Sequence, residues 1–313
     1  MDIQLLKDSK AGNRIVALIL LVFGIGIILS LLALLLSAFL VEGSVLENLQ
    51  NMSNMDTESD VNLMKYFQMV SQISFFIAPA LVFGYLIQKN IGRFYHIDEL
   101  PSMLFLILGI LIIFISNAFS EWLVAQNNKM SLPAYLAGIE DWMREAEAQA
   151  AVLTNKFLEM DRFSDYAINI LMIGVLAAVG EELLLRGALQ PLFIKIFKNA
   201  HIGIWVTAFF FSFMHFQFYG FFARMFLGGL LGYFFFYTKN LWVPIIAHFF
   251  NNAAAVTYVY FTKTPLFDTS NNMVMKSETN VLYAILSFSL VVLGIFLIRF
   301  YSKKKGIQPM FDE

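Results

Sequence analysis

Eight apolar runs dominate this chain: about Ile15–Leu40, Tyr66–Ile87, Met103–Phe119, Tyr166–Gln190, Ile202–Phe218, Tyr219–Tyr237, Leu241–Tyr260 and Val281–Phe300. A helix crossing a hydrocarbon core about 30 Å thick needs roughly 20 such residues. The expected fold class is therefore all-α, a polytopic transmembrane helix bundle of about eight spans. Composition agrees, with 59% hydrophobic residues, 14% charge and 34 Phe, where soluble domains carry roughly a quarter charged residues. The first run is longer than a signal-peptide core and no small-x-small cleavage pattern follows it, so it is expected to be retained.

Basic residues set an expected orientation. With both termini cytoplasmic, the inner segments hold twelve Lys and Arg, from Lys7 to Lys305, and the longer outer loops hold seven, Lys276 among them. That asymmetry is the positive-inside bias. The net charge of −2 gives no reason to expect nucleic acid. The absence of cysteine excludes disulfides, thiolate metal sites and cysteine nucleophiles.

Three blocks are expected: 1–165 with three spans and a long loop, a core over 166–300, and a basic cytoplasmic tail over 301–313. In the long loop after Pro133, apolar residues at Leu136, Ile139, Met143, Ala146, Ala150, Leu153, Phe157 and Met160 recur in steps of three and four. That spacing predicts an amphipathic extracytoplasmic helix. Gly228-x-x-x-Gly232 reads as a close-packing pattern between membrane helices.

Three polar patterns sit inside the apolar runs: Glu181-Glu182-x-x-x-Arg186, Phe211-x-x-x-His215 and His248-x-x-x-Asn252. Ionisable groups in a bilayer cost on the order of a few kcal/mol each and mark functional sites. At 1.5 Å per residue, Glu181 and His215 lie roughly 20 Å above the inner boundary, His248 roughly 12 Å and Asn252 roughly 18 Å. The set falls in one slab near the membrane middle. Glu182 and Arg186, at i,i+4, suit a structural ion pair. Glu181 has small residues on its side and reads as the free carboxylate, suited to a general base. Glu181 with His215 would activate a water, and His248 with Asn252 would hold a developing oxyanion. Those are parts for hydrolysing an amide bond. Glu181, His215 and His248 are also a possible zinc ligand set, although no His-Glu-x-x-His occurs. His96 and His201 are expected to be bystanders, and Arg224 to snorkel from the outer end of its span.

At these residues the chain resembles the CPBP intramembrane protease family, which includes the CAAX prenyl endopeptidases and the Abi-like proteins. The marks are EELLLR at Glu181–Arg186, FSFMH at Phe211–His215 and HFFNN at His248–Asn252, and they cover about residues 166–261. The resemblance implies an eight-helix intramembrane endopeptidase acting on membrane-associated or lipid-modified peptides. It implies Glu181 and His215 at the activated water, and His248 and Asn252 at the oxyanion. Many members are labelled metalloproteases, so a divalent metal such as zinc stays open. The expected partners are the lipid bilayer and a peptide or membrane-protein substrate. The alternative is a non-catalytic immunity or regulatory protein, or a transporter, that binds through the same polar slab.

Overall fold

The computed structural model describes residues 5–40, 57–267 and 280–308. Lys276 and the end of the tail, 309–313, lie outside the described residues. The chain is an integral membrane protein built of helices: α1 (Ala11–Leu40), α2 (Glu58–Ile87), α3 (Met103–Asn127), α4 (Ala137–Phe157), α5 (Phe163–Phe197), α6 (Ala200–Phe213), α7 (Phe221–Thr238), α8 (Trp242–Thr262) and α9 (Val281–Lys304). Each of the eight apolar runs holds one of these helices. Six of them, α1, α2, α3, α5, α7 and α9, are long and apolar enough to cross a membrane, while α6 is a shorter apolar helix. The expectation of about eight spans is thus approximate. At 14 residues α6 is about 21 Å long, less than the hydrocarbon thickness. The amphipathic helix α4 forms where the three-four spacing places it.

Local chemistry sets the helix limits. Thr57 opens α2 with a capping box, its hydroxyl accepting from the Asp60 amide while the Asp60 carboxylate accepts from the Thr57 amide. Asn199 caps α6 by accepting from Ile202 N–H. Lys198, Lys239 and Lys263 end α5, α7 and α8 in the left-handed conformation.

The sequence pattern does not announce that α2 and α5 contain π-helical turns, at Gln72–Ile77, Ile170–Leu176 and Glu182–Leu189. Two of these lead straight into a proline, Pro79 and Pro191. A proline ring collides with the carbonyl four residues back and brings no N–H. Those carbonyls belong to Phe75 and Gly187, inside the widened turns, where the ladder runs to the fifth residue instead. The third π turn coincides with an inserted side chain: Asn252 of α8 donates to the Ile173 carbonyl at 2.9 Å.

Helix α5 is the most enclosed. Its apolar window is 61% buried, against 11% for α1, so α5 is a core element and α1 faces outward. Around α5 stand α2 and α1 on one side and α6 and α8 on the other, with α7 also in contact, while α3 packs on α7, α8 and α9. Glycines let these helices close. A Cβ at Gly174 would meet the Phe249 ring of α8 at 3.2 Å, and one at Gly180 would meet Phe76 of α2 at 3.0 Å. Tyr95 reaches back from the loop after α2, donates to the Ala80 carbonyl at 2.5 Å and lies where a Gly187 side chain would be.

Candidate active site

The first layer of the site is built on α5. Glu181 ends one α-helical stretch and Glu182 begins the π turn. Both are buried, at 6% and 0% exposure, as is Arg186 at 0%. Arg186 Nη1 donates to Glu182 Oε1 at 2.7 Å. Its Nη2 donates to the Gly228 carbonyl of α7 at 2.9 Å, and the Phe211 ring of α6 lies over the guanidinium at 4.7 Å. One turn further along, Gln190 donates to the Gly232 carbonyl at 3.2 Å. The two rungs explain Gly228-x-x-x-Gly232. Without side chains, these positions admit Phe211, Ala208 and Ile204 of α6 and leave their carbonyls open to α5. Glu182 Oε2 and Arg186 Nε have no hydrogen-bond partner among the described residues, so the pair is joined by one bond rather than a fork.

The second layer is His248 of α8, 3% exposed. Its Nδ1 lies 2.9 Å from Glu182 Oε1, and its Nε2 lies 3.9 Å from Glu181 Oε2. One imidazole thus stands between the two carboxylates. Simple α-helical geometry, with adjacent positions about 100° apart, separates Glu181 from Glu182 and leaves Glu182 to Arg186 alone. The observed Glu182 holds both Arg186 and His248, and the widened turn that it opens replaces the α-helical spacing on which that separation rests. Phe211 packs edge-on against His248, ring centroids 5.9 Å apart.

His215 is placed differently from expectation. Helix α6 ends at Phe213, and the chain turns through Phe216, a left-handed residue with φ 50°. His215 therefore sits on the turn beyond the helix, exposed, with Nδ1 2.8 Å from the Phe211 carbonyl. Glu181, His248 and Arg224 are within its electrostatic reach. Asn252 spends one amide hydrogen on Ile173 and receives Asn251 on its oxygen at 3.3 Å. The space beside Gly174 that sequence spacing leaves open is filled by Phe249 and Ala253 of α8.

His201 and His96 lie elsewhere: His201 pairs with the Tyr233 hydroxyl at 2.8 Å, and His96 packs edge-on against Phe235. Arg224 does not snorkel outward. Its Nη2 donates to the Gln217 carbonyl, which ties the start of α7 to the His215 turn. A contact that the apolar pattern of α4 conceals comes from Glu147, 2% exposed, whose carboxylate accepts Tyr219 N–H at 3.1 Å. The signal was present as an acid flanked by Ala146 and Ala150 on the apolar stripe.

Residues 163–254 match the family model described as type II CAAX prenyl endopeptidase Rce1-like. This core is Rce1-like. The matched segment contains every residue of the site just described on α5 to α8, and it falls within three residues of the start of the resemblance read from the three motifs. An uncharacterized protein of Bacillus subtilis (strain 168), YpbD, is 32% identical over 97 residues, which cover 30% of this chain and 47% of that relative. The chain therefore matches about half the length of the relative. No solved structure matches.

The Rce1-like core was tested for the metal reading on its donors. Among the described residues no three His, Asp or Glu side chains are grouped to hold a metal ion. His248 Nδ1 is engaged by Glu182 and His215 Nδ1 by a backbone carbonyl. As arranged, Glu181, His215 and His248 do not form a ligand set, and no chemical step is derived through a metal.

Proposed function

We propose that the protein is an intramembrane endopeptidase that hydrolyses peptide bonds of membrane-associated or lipid-modified peptides by direct attack of water. The observation that carries this reading is the 3.9 Å gap between Glu181 Oε2 and His248 Nε2 inside a buried, Rce1-like core. That gap is too long for a direct hydrogen bond and suits a bridging water.

In this mechanism Glu182, held by Arg186, fixes the His248 ring through Nδ1, so that Nε2 faces the water. Glu182 is a positioning residue, following the base-and-orienter logic of hydrolytic triads. Glu181 takes a proton from the water as its oxygen bonds to the substrate carbonyl carbon. The tetrahedral oxyanion is met by His215 on the open side and by the remaining amide hydrogen of Asn252. Glu181 then delivers its proton to the departing nitrogen, and the C–N bond breaks. Water is consumed, and a carboxylic acid and an amine are formed.

The test uses purified protein in detergent and in liposomes, with a randomised peptide pool as substrate and product masses as readout. New termini that appear with wild type and not with Glu181→Gln are expected. Equal products from both proteins, or none from wild type on soluble and membrane-anchored pools alike, would overturn the reading.

A further inference from the structure

A cavity of about 550 Å³ lies beside the site without containing Glu181, His215 or His248. Its size falls in the range of roughly 300–1,000 Å³ typical of ligand pockets. Asn117 and Ser120 of α3 line one wall, Asn251 and Ala255 of α8 another, and Glu147 of α4 and Arg224 of α7 stand together at a third. We propose that this cavity binds a short extended segment of the substrate polypeptide, adjacent to the bond that is cut.

Two structural links join the cavity to the site. Asn251 lines the cavity and donates to Asn252, the residue whose other contact is the π turn of α5. Arg224 lines the cavity, attracts Glu147 and is within electrostatic reach of His215. The wall chemistry selects the ligand class. Side-chain amides from two opposing helices offer donors and acceptors of the kind that a peptide backbone needs, set among apolar residues that would take its side chains. Arg224 Nε is buried with no hydrogen-bond partner among the described residues, so the cationic end of the cavity retains a donor.

The cavity also has a roof. Helix α4 is pinned over it by Glu147 on Tyr219 N–H, by Arg144 over the Tyr219 ring at 4.9 Å and by Trp142 against Phe218 at 5.3 Å. Asn155 exchanges hydrogen bonds with both the amide and the carbonyl of Phe267, a residue of the cavity wall. The amphipathic helix thus encloses the cavity and holds the turn that carries His215.

The choice of peptide as ligand rests on the endopeptidase reading, whereas the test below measures occupancy apart from cleavage. The chain has no cysteine, so Ala255→Cys introduces a single thiol into the cavity. In a Glu181→Gln background, its reaction with N-ethylmaleimide is followed with and without a randomised octapeptide pool. The expected result is slowing of at least about fivefold by peptide, with no slowing at a control thiol from Ile139→Cys on the exposed side of α4. Ala255→Trp and Ser120→Trp, which fill the cavity from opposite walls, should weaken binding of a fluorescent octapeptide pool about tenfold. Unprotected Ala255→Cys would overturn the proposal, as would a thiol that never reacts, since a closed cavity admits no peptide. Cleavage by the wild-type protein is scored separately, so protection without cleavage would fault the catalytic reading alone.

Discussion

The imidazole of His248 and the carboxylate of Glu182 meet across two helices at 2.9 Å, on the same oxygen that receives Arg186. Glu182 therefore does two jobs, compensating a fully buried guanidinium and orienting the ring that faces Glu181. Glu181 keeps an oxygen pointed at the other ring nitrogen, and the two carboxylates are separable by experiment.

Glu181→Gln should reduce peptide cleavage about 100-fold or more, the lower end of what a general base contributes. Because the change is nearly isosteric, the thermal midpoint in detergent should stay within a few degrees. Cleavage retained to within about tenfold of wild type would remove Glu181 from the base role.

Glu182→Gln should instead destabilise the fold, by about 3–5 kcal/mol, since it leaves Arg186 charged and uncompensated in the core. Replacing both partners, Glu182→Leu with Arg186→Met, should recover much of that stability and none of the activity, because His248 stays unheld. The measurement is unfolding in mild denaturant alongside turnover. Activity in the double variant would contradict the positioning role.

Gly228→Ala should loosen the contact between α6 and α7. The added methyl would stand 2.9 Å from the Phe211 ring and 3.2 Å from the Ala208 Cα, and the backbone has little room to yield. A loss of about 1–3 kcal/mol is expected for such overpacking. Gly24→Ala, with nothing within 4 Å, should leave the midpoint unchanged or slightly raised. Equal effects at the two glycines would mean that the helix contact is not what limits Gly228.

Both termini are expected on the cytoplasmic side, from the unequal distribution of Lys and Arg. Reporter fusions after Lys89, after Asp141 and at the C-terminal Glu313 should read inside, outside and inside. A C-terminus on the outer side would require an odd number of crossings.

Attachment of α4 should loosen as pH rises. Burial lifts the Glu147 carboxyl above its ordinary value more than the amide hydrogen bonds from Tyr219 and Phe218 and the nearby Arg224 lower it. Arg144 and the Tyr219 ring also stand against this part of α4. A carboxyl raised in the folded state binds more protons there than when detached, so the attached form loses stability between the ordinary carboxylate value and the raised one. Hydrogen exchange at the Tyr219 amide should accelerate across that window beyond the intrinsic base-catalysed rise. Glu147→Gln should flatten the excess while still accepting the hydrogen bond.

Much of the architecture was legible because lipid imposes it. Eight apolar runs mark eight helices, and the step pattern after Pro133 marks α4. The three polar motifs also converge as depth arithmetic suggests, with Glu181 and Glu182 on either side of His248. What stayed hidden depends on departures from regular geometry. Ideal α-helical spacing could not show that Glu182 opens a π turn and serves His248 as well as Arg186. Apolarity ran on through Phe218, whereas Phe216 takes a left-handed conformation and leaves His215 outside α6. Arg224 at a span end suggested an outward reach, yet the Gln217 carbonyl turns it inward. Glu147 was concealed because an acid beside an apolar stripe looks like an ordinary boundary residue until its tertiary partner is known.

The widened turn between Glu182 and Leu189 also fixes the phase of everything that follows it on the helix. Removing one residue there, Leu183 or Leu184, would let the segment relax to an ordinary α ladder and rotate its downstream half by about 100°. Arg186 and Gln190 would then swing together off the Gly228 and Gly232 carbonyls. In this protein a single-codon deletion in a greasy stretch, harmless to hydropathy and to length, would act as a wrong key turned in the lock.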